Sequence, residues 1–245
     1  TTALTTDGLS SIAGATKATL TGTVSVSQLN QILASNSAAT VTVLQDNAQN
    51  LVAASSKLSA VALDLKVEGA VSVAQANVIQ PALTAILAKT GSHSTPFLAA
   101  DASAGVYVNK YVISDVSSAV LDASNATGVK GAKAVTVTNA MNLADATSLK
   151  TLADVSGDTL DFANVTYNVT DSAAALATAL SNTTAATQQK TVDVLGKATT
   201  VTATGTATVA QAKLLGTAAT PTGGSSGVQV DSWAVSDTVA HMFSS

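Results

Sequence analysis

Cysteine and arginine are both absent from the 245 residues, and all eleven basic residues are lysine. The first absence excludes disulfide stapling and thiolate chemistry, the second any bidentate guanidinium clamp on phosphate or carboxylate. Glutamate occurs once, at Glu68, and aromatic residues make up 3% of the chain. With a formal charge of −4 and no basic run, the chain repels a polyanion at long range, so nucleic acid is not an expected partner. No stretch reaches the roughly eighteen uninterrupted apolar residues of a membrane helix, and the first residues carry neither a basic n-region nor an apolar h-region. Thr1 in place of an initiator Met reads as a processing point.

What is present is small. Alanine (48) and threonine (36) supply a third of the chain, within 47% apolar content and a mean hydropathy of +0.36. Such a chain folds, around a core of small side chains. Thr-rich composition without Cys or Arg, with fourteen Asp, fits an exported protein on a cell or virion surface better than a cytosolic enzyme.

Two short boxes recur and alternate. The first reads GTVSVSQ (Gly22 to Gln28), GAVSVAQ (Gly69 to Gln75), KAVTVTN (Lys133 to Asn139) and GTATVAQ (Gly205 to Gln211). The second ends in aspartate: VLQD at Asp46, VISD at Asp115, NVTD at Asp171 and AVSD at Asp237, with a degraded copy around Asp7. Taken together the boxes mark a unit of about 29 residues, within the range of solenoid repeats.

The chemistry of each box points to helix starts. Ser25, Ser72, Thr136 and Thr208 stand three residues before Gln28, Gln75, Asn139 and Gln211, the spacing of a capping box in which hydroxyl and amide satisfy each other's backbone donors. Asp46, Asp115, Asp171 and Asp237 are read as caps of the helices that follow them, placing negative charge at the positive helix end. After Asp171 the residues Ala173, Leu176, Ala177 and Leu180 form one apolar stripe, and after Ser25 so do Leu29, Ile32 and Leu33. Before the caps, β-branched runs at Val41 to Val43, Val135 to Val137, Thr191 to Leu195 and Thr199 to Thr204 have the composition of short strands. The expected fold is therefore α/β, a solenoid-like stack of strand–cap–helix units.

The phrase Y-x-V-[ST]-D-[ST]-A-A-x-L from Tyr167 to Leu176, paired with T-G-T-x-[TS]-V-A-Q-A from Thr204 to Ala212, resembles the degenerate repeats of very large secreted or surface-attached bacterial proteins, cyanobacterial and proteobacterial among them. Similar phrases occur in phage fibres. The resemblance covers most of the chain and implies stalk, adhesin or surface-layer material, often beside calcium-binding segments. Lys133 in place of Gly and Asn139 in place of Gln depart from the pattern in the third copy of the first box.

The organisation expected is a repeat domain over 1–215, a Gly/Ser/Pro linker over 216–227, and an incomplete terminal repeat over 228–245 that continues into further chain or docks on a neighbour. An insertion at about 88–111 concentrates Pro96, His93, Phe97, Tyr107 and Tyr111. Its three aromatics are candidate recognition anchors, or else filling for a widened core. Asp154, Asp158 and Asp161 form the densest acidic cluster, a candidate set of oxygen ligands for calcium or a solvated turn. The cluster matches neither the EF-hand loop nor the glycine-rich nonapeptide, and calcium is the one cofactor considered.

Catalytic signatures are missing. His93 and His241 show no zinc spacing, and no nucleophile-elbow motif occurs. Sequons at Asn125, Asn164, Asn168 and Asn182 are what chance supplies in so Thr-rich a chain. The functional expectation is an extracellular structural protein, not an enzyme, that self-assembles into a fibre, surface lattice or stalk. The alternative is an adhesin or phage receptor-binding fibre module that uses the insertion on a surface glycan or protein.

Overall fold

The computed structural model describes residues 6–90, 106–108, 110–155, 160–182, 184–218 and 232–238. The chain is mixed α/β with mainly parallel strands, and divides into two compact units, residues 1–114 with 127–134 and residues 115–126 with 135–245.

In the first unit, helix α1 (Thr6–Ala13) precedes strand β1 (Thr19–Val24), α2 (Val26–Ser35), β2 (Thr40–Asn47) and α3 (Ala48–Ala53). A 3-10 segment, Ser55–Ala60, leads into β3 (Val61–Glu68). Strands β1, β2 and β3 pair in parallel, in that order. Parallel strands need a crossover on the sheet face, and here short helices supply it. Both sides of β2 are accordingly dry: Val41 and Leu44 are fully buried, together with Leu29 and Ile32 of α2 and Leu51 of α3. Asn36, at the end of α2, is buried because its side-chain amide donates to the carbonyls of Ile12 (2.9 Å) and Ala15 (2.7 Å), tying down the end of α1.

At Gly69 (φ +72°) the chain leaves β3 and enters β4 (Ala70–Val71), which pairs in parallel with β6 (Val112–Asp115). Between them lie α4 (Val73–Thr90) and β5 (Val106–Val108), which pairs antiparallel with the free side of β3. The expected insertion thus begins inside α4 and returns as a strand. Near the unit's end is α6 (Ala126–Lys130).

The second unit contains α5 (Ser117–Val120), β7 (Ala134–Val137), α7 (Leu143–Ala153), β8 (Val165–Thr166), β9 (Val169–Ser172), α8 (Ala173–Leu180) and α9 (Ala185–Lys197). It ends with β10 (Val201–Ala207), α10 (Val209–Ala218) and β11 (Ser232–Val235). β7 pairs with β8, and β10 lies between β9 and β11, all in parallel. Ala173, Leu176, Ala177 and Leu180 bury the inner face of α8. Two expectations need correction. Thr191 to Leu195 is helical: Thr191, Val194 and Leu195 are the buried residues, spaced three and four apart, so helical periodicity outweighs β-branched composition. The linker expected from 216 starts later, because α10 runs through to Ala218.

Candidate functional site

The boxes carry the most regular chemistry in the molecule. Three glycines of the first box, Gly22 (φ +103°), Gly69 (φ +72°) and Gly205 (φ +75°), adopt the left-handed conformation that other residues resist. Gly22 and Gly205 sit where the strand register shifts. Leu20 to Thr23 faces only Val41 to Val43, and Thr202 to Thr206 only Ser232 to Ala234. The bulge re-aims the strand so that three residues later the chain enters a helix.

There the capping box closes. Ser25 Oγ accepts from the Gln28 amide at 3.3 Å, while Gln28 Oε1 accepts from the Ser25 amide at 2.9 Å. Ser72 with Gln75 repeats this at 3.2 and 2.8 Å, and Thr208 with Gln211 at 3.3 and 2.9 Å. A capping box leaves the first helical amide, N1, without an acceptor. A neighbouring strand provides it: Asp46 Oδ2 accepts from Val26 N, and Asp237 Oδ2 from Val209 N, both at 3.0 Å. Asp171 Oδ2 accepts from Leu143 N, the N1 amide of α7, also at 3.0 Å.

These aspartates therefore do not cap the helices that follow them, as their position suggested. The cap of α3 is Asn47, whose Oδ1 accepts from Asn50 N, and the cap of α8 is Ser172, whose Oγ accepts from Ala175 N. Each aspartate lies one residue earlier, still extended, and points sideways to the helix of the unit before it. Its second oxygen accepts from the next residue's amide, at Asn47 (2.9 Å), Ser172 (2.7 Å) and Thr238 (2.7 Å). Asp115 makes the same contact to Val116 N at 2.8 Å, and α5 has Val116 at its N-cap with no side-chain bond. Each aspartate in effect latches one unit to the previous one.

The third copy of the first box differs. Thr136 lies inside β7 and caps nothing; α7 starts seven residues after it, under Asn142, whose Oδ1 accepts from Asp145 N at 2.7 Å. Asn139 takes the latch role instead. Its Oδ1 accepts from Ser117 N, the N1 amide of α5, at 2.7 Å, and its Nδ2 donates to Ser117 Oγ at 3.0 Å.

A tyrosine four residues before the aspartate is a second shared device. The Tyr111 hydroxyl donates to the Gly128 carbonyl and the Tyr167 hydroxyl to the Val194 carbonyl, each at 2.6 Å. The Gln80 side-chain amide, 2.9 Å away, occupies the second position on the Tyr111 hydroxyl. In both cases the tyrosine's own carbonyl accepts from an amide five residues beyond that acceptor, Lys133 (2.9 Å) and Thr199 (2.8 Å). Burial pushes both phenols well above their ordinary pKa. Tyr111 is fully buried, so it is a core residue and not a recognition anchor. Phe97 and the side chain of Tyr107 lie outside the described residues. Burial, and Lys133 nearby, hold the Lys110 ammonium below its usual range.

Two of the three candidate calcium residues line one cleft of about 410 Å³ with Lys150, Phe162, Gln189 and Asp193. Asp154 is ion-paired with Lys150 Nζ (2.7 Å), itself 4.9 Å from the Phe162 ring centre. Asp161 Oδ1 accepts from Ala163 N at 2.9 Å, capping a short 3-10 turn. Asp158 lies outside the described residues, among which no three His, Asp or Glu side chains group as a metal site. A second hollow of about 390 Å³ lies at the carboxyl ends of β1, β2 and β3, where Gln45 Nε2 donates to Glu68 Oε1 at 2.8 Å. No helix among the described residues is long and apolar enough to cross a membrane.

The caps Asn47, Asn142 and Ser172, the Asn139 latch and the two tyrosine anchors all escaped the reading by motif. The recurring Tyr-x-x-x-Asp spacing, at Tyr111 with Asp115 and Tyr167 with Asp171, was the signal that could have found the anchors. No protein-family model, curated protein or solved structure matches the chain.

Proposed function

We propose that the chain is an extracellular structural protein whose strand–cap–helix units stack in solenoid fashion and which assembles with its own copies into a fibre, lattice or stalk. The observation that carries this reading is the lateral latch. The helix after β1, the helix α7 and the helix after β10 each have their N1 amide satisfied at 3.0 Å by the aspartate of the next unit. A unit built this way is complete only when a further unit follows, which is the energetic logic of repeat arrays. Each latch is charge-assisted and sits at the positive end of a helix, so it adds about 1 kcal/mol of coupling between neighbours. Small Ala and Thr side chains let such layers approach closely, which suits a molecule that transmits load along its strands.

Negative-stain electron microscopy and sedimentation of the purified chain test this. Regular filaments or sheets that grow with protein concentration are expected; a monomer at every concentration would overturn the reading.

A further inference from the structure

The chain makes one strand interface twice in the same register. In β2 and β3, Leu44 faces Leu65, Asp46 faces Val67 and Asn47 faces Glu68. In β9 and β10, Val169 faces Val201, Asp171 faces Ala203 and Ser172 faces Thr204. In both, the aspartate of the second box lies opposite the residue two places before the glycine of the first box, Gly69 or Gly205. Two further strands of these kinds are paired on one side only among the described residues. β1 carries Gly22 and pairs with β2, while β11 leads into Asp237 and pairs with β10. Thr19, Thr21 and Thr23 of β1 are exposed, as are Ala234, Val235 and the adjoining Ser236. Neither strand contains Lys or Pro, the residues that commonly guard a sheet edge against another chain.

We propose that β11 of one copy adds in parallel to β1 of the next, with Asp237 opposite Leu20, Ser236 opposite Thr19 and Thr238 opposite Thr21. The occupant of each edge is a second copy of this chain, because the interface completed is the one the chain already forms within itself. Strand addition of this kind draws its affinity from the main-chain ladder and its register from side-chain fit. It also places opposite β1 a strand of the type that faces β3 and β10. The inference rests on the self-assembly reading and supplies its joint.

The absence of native cysteine makes the test clean. Ser236→Cys and Thr19→Cys are made in separate copies of the full chain, mixed and mildly oxidised. Adjacent strands lie about 5 Å apart, within reach of a disulfide, whereas a partner four residues out of register is displaced by about 13 Å. The mixture is expected to give roughly tenfold more cross-linked dimer than either variant alone or than Ser236→Cys mixed with Thr23→Cys. Both exposed positions tolerate the change without loss of fold, which circular dichroism verifies. As a second readout, Thr21→Lys, which places a charge on the open edge, is expected to lower the sedimenting fraction with the fold unchanged. Assemblies that form normally without the in-register cross-link would overturn this joint and leave self-assembly standing. Failure to assemble at any concentration would overturn both.

Discussion

Two segments that align letter for letter, Gly205 to Gln211 and Lys133 to Asn139, fold differently. The first bulges at Gly205, ends its strand at Ala207 and opens a helix at Val209. The second runs through Thr136 as regular strand, and its helix waits until Leu143. Upstream, the two are anchored alike, by a buried tyrosine that holds a carbonyl at 2.6 Å. The divergence begins at the glycine position. Lysine has a Cβ that disfavours positive φ by about 1 kcal/mol, so the bulge does not form and the hydroxyl three residues on never reaches a helix start. A capping pair therefore needs a backbone that delivers it, and the glycine before the pair is what specifies the helix.

The latches separate the two segments most strongly. Asp171 serves Leu143 N and Ser172 N with one carboxylate, while the neutral Asn139 serves Ser117 N. Asp171→Ala removes the acceptor for two helix-terminal amides and the charge beside a helix N-terminus, and is expected to cost about 2 kcal/mol in urea denaturation. Asn139→Ala, losing a single neutral acceptor on a four-residue helix, is expected to cost about 1 kcal/mol. Equal losses would mean that the charge contributes nothing and that the latch is a matter of shape.

What could be read from sequence follows the range of the contacts. Ser25 with Gln28 and Thr208 with Gln211 are three residues apart, so spacing alone brings them together in a first helical turn. The parallel strands were legible at Val41 and Val135, where β-branched residues alternate. The aspartates were placed on the wrong helices because their partners lie 20 to 28 residues away, at Val26, Leu143 and Val209, and local pattern carries no information about a strand neighbour. Tyr111 was grouped with the insertion by proximity to Phe97 and Tyr107. Its burial depends on Gly128 and Gln80, 17 and 31 residues distant.

The tyrosines test the shared upstream half. Tyr111→Phe and Tyr167→Phe each leave a buried helix carbonyl unsatisfied and are each expected to cost about 1.5 kcal/mol. Similar losses would place the divergence of the two segments downstream of the tyrosines; a large effect in one alone would move it upstream. Alkaline pH gives an independent measure. Both phenols have folded-state pKa values raised above the unfolded value near 10, so the neutral form is the one folding favours. That contribution is complete below about pH 10 and is lost as pH rises from there toward the folded values. The urea midpoint is expected to fall above about pH 10, and to fall less in the Tyr111→Phe, Tyr167→Phe double variant.

The smallest expected effect is the sharpest on the glycine. Thr136 and Thr208 occupy the same place in their boxes, and valine has the shape and β-branching of threonine without the hydroxyl. At Thr208 that hydroxyl accepts from Gln211 N, so Thr208→Val is expected to cost about 1 kcal/mol, the ordinary loss of an N-cap. At Thr136 the side chain stands on a strand, where valine is equally at home, so Thr136→Val is expected to change stability by less than about 0.5 kcal/mol. Both are read from urea denaturation followed by far-ultraviolet circular dichroism. A loss at Thr136 as large as at Thr208 would mean that its hydroxyl contributes to stability without the bulge, and the glycine would no longer explain why two matching boxes fold apart.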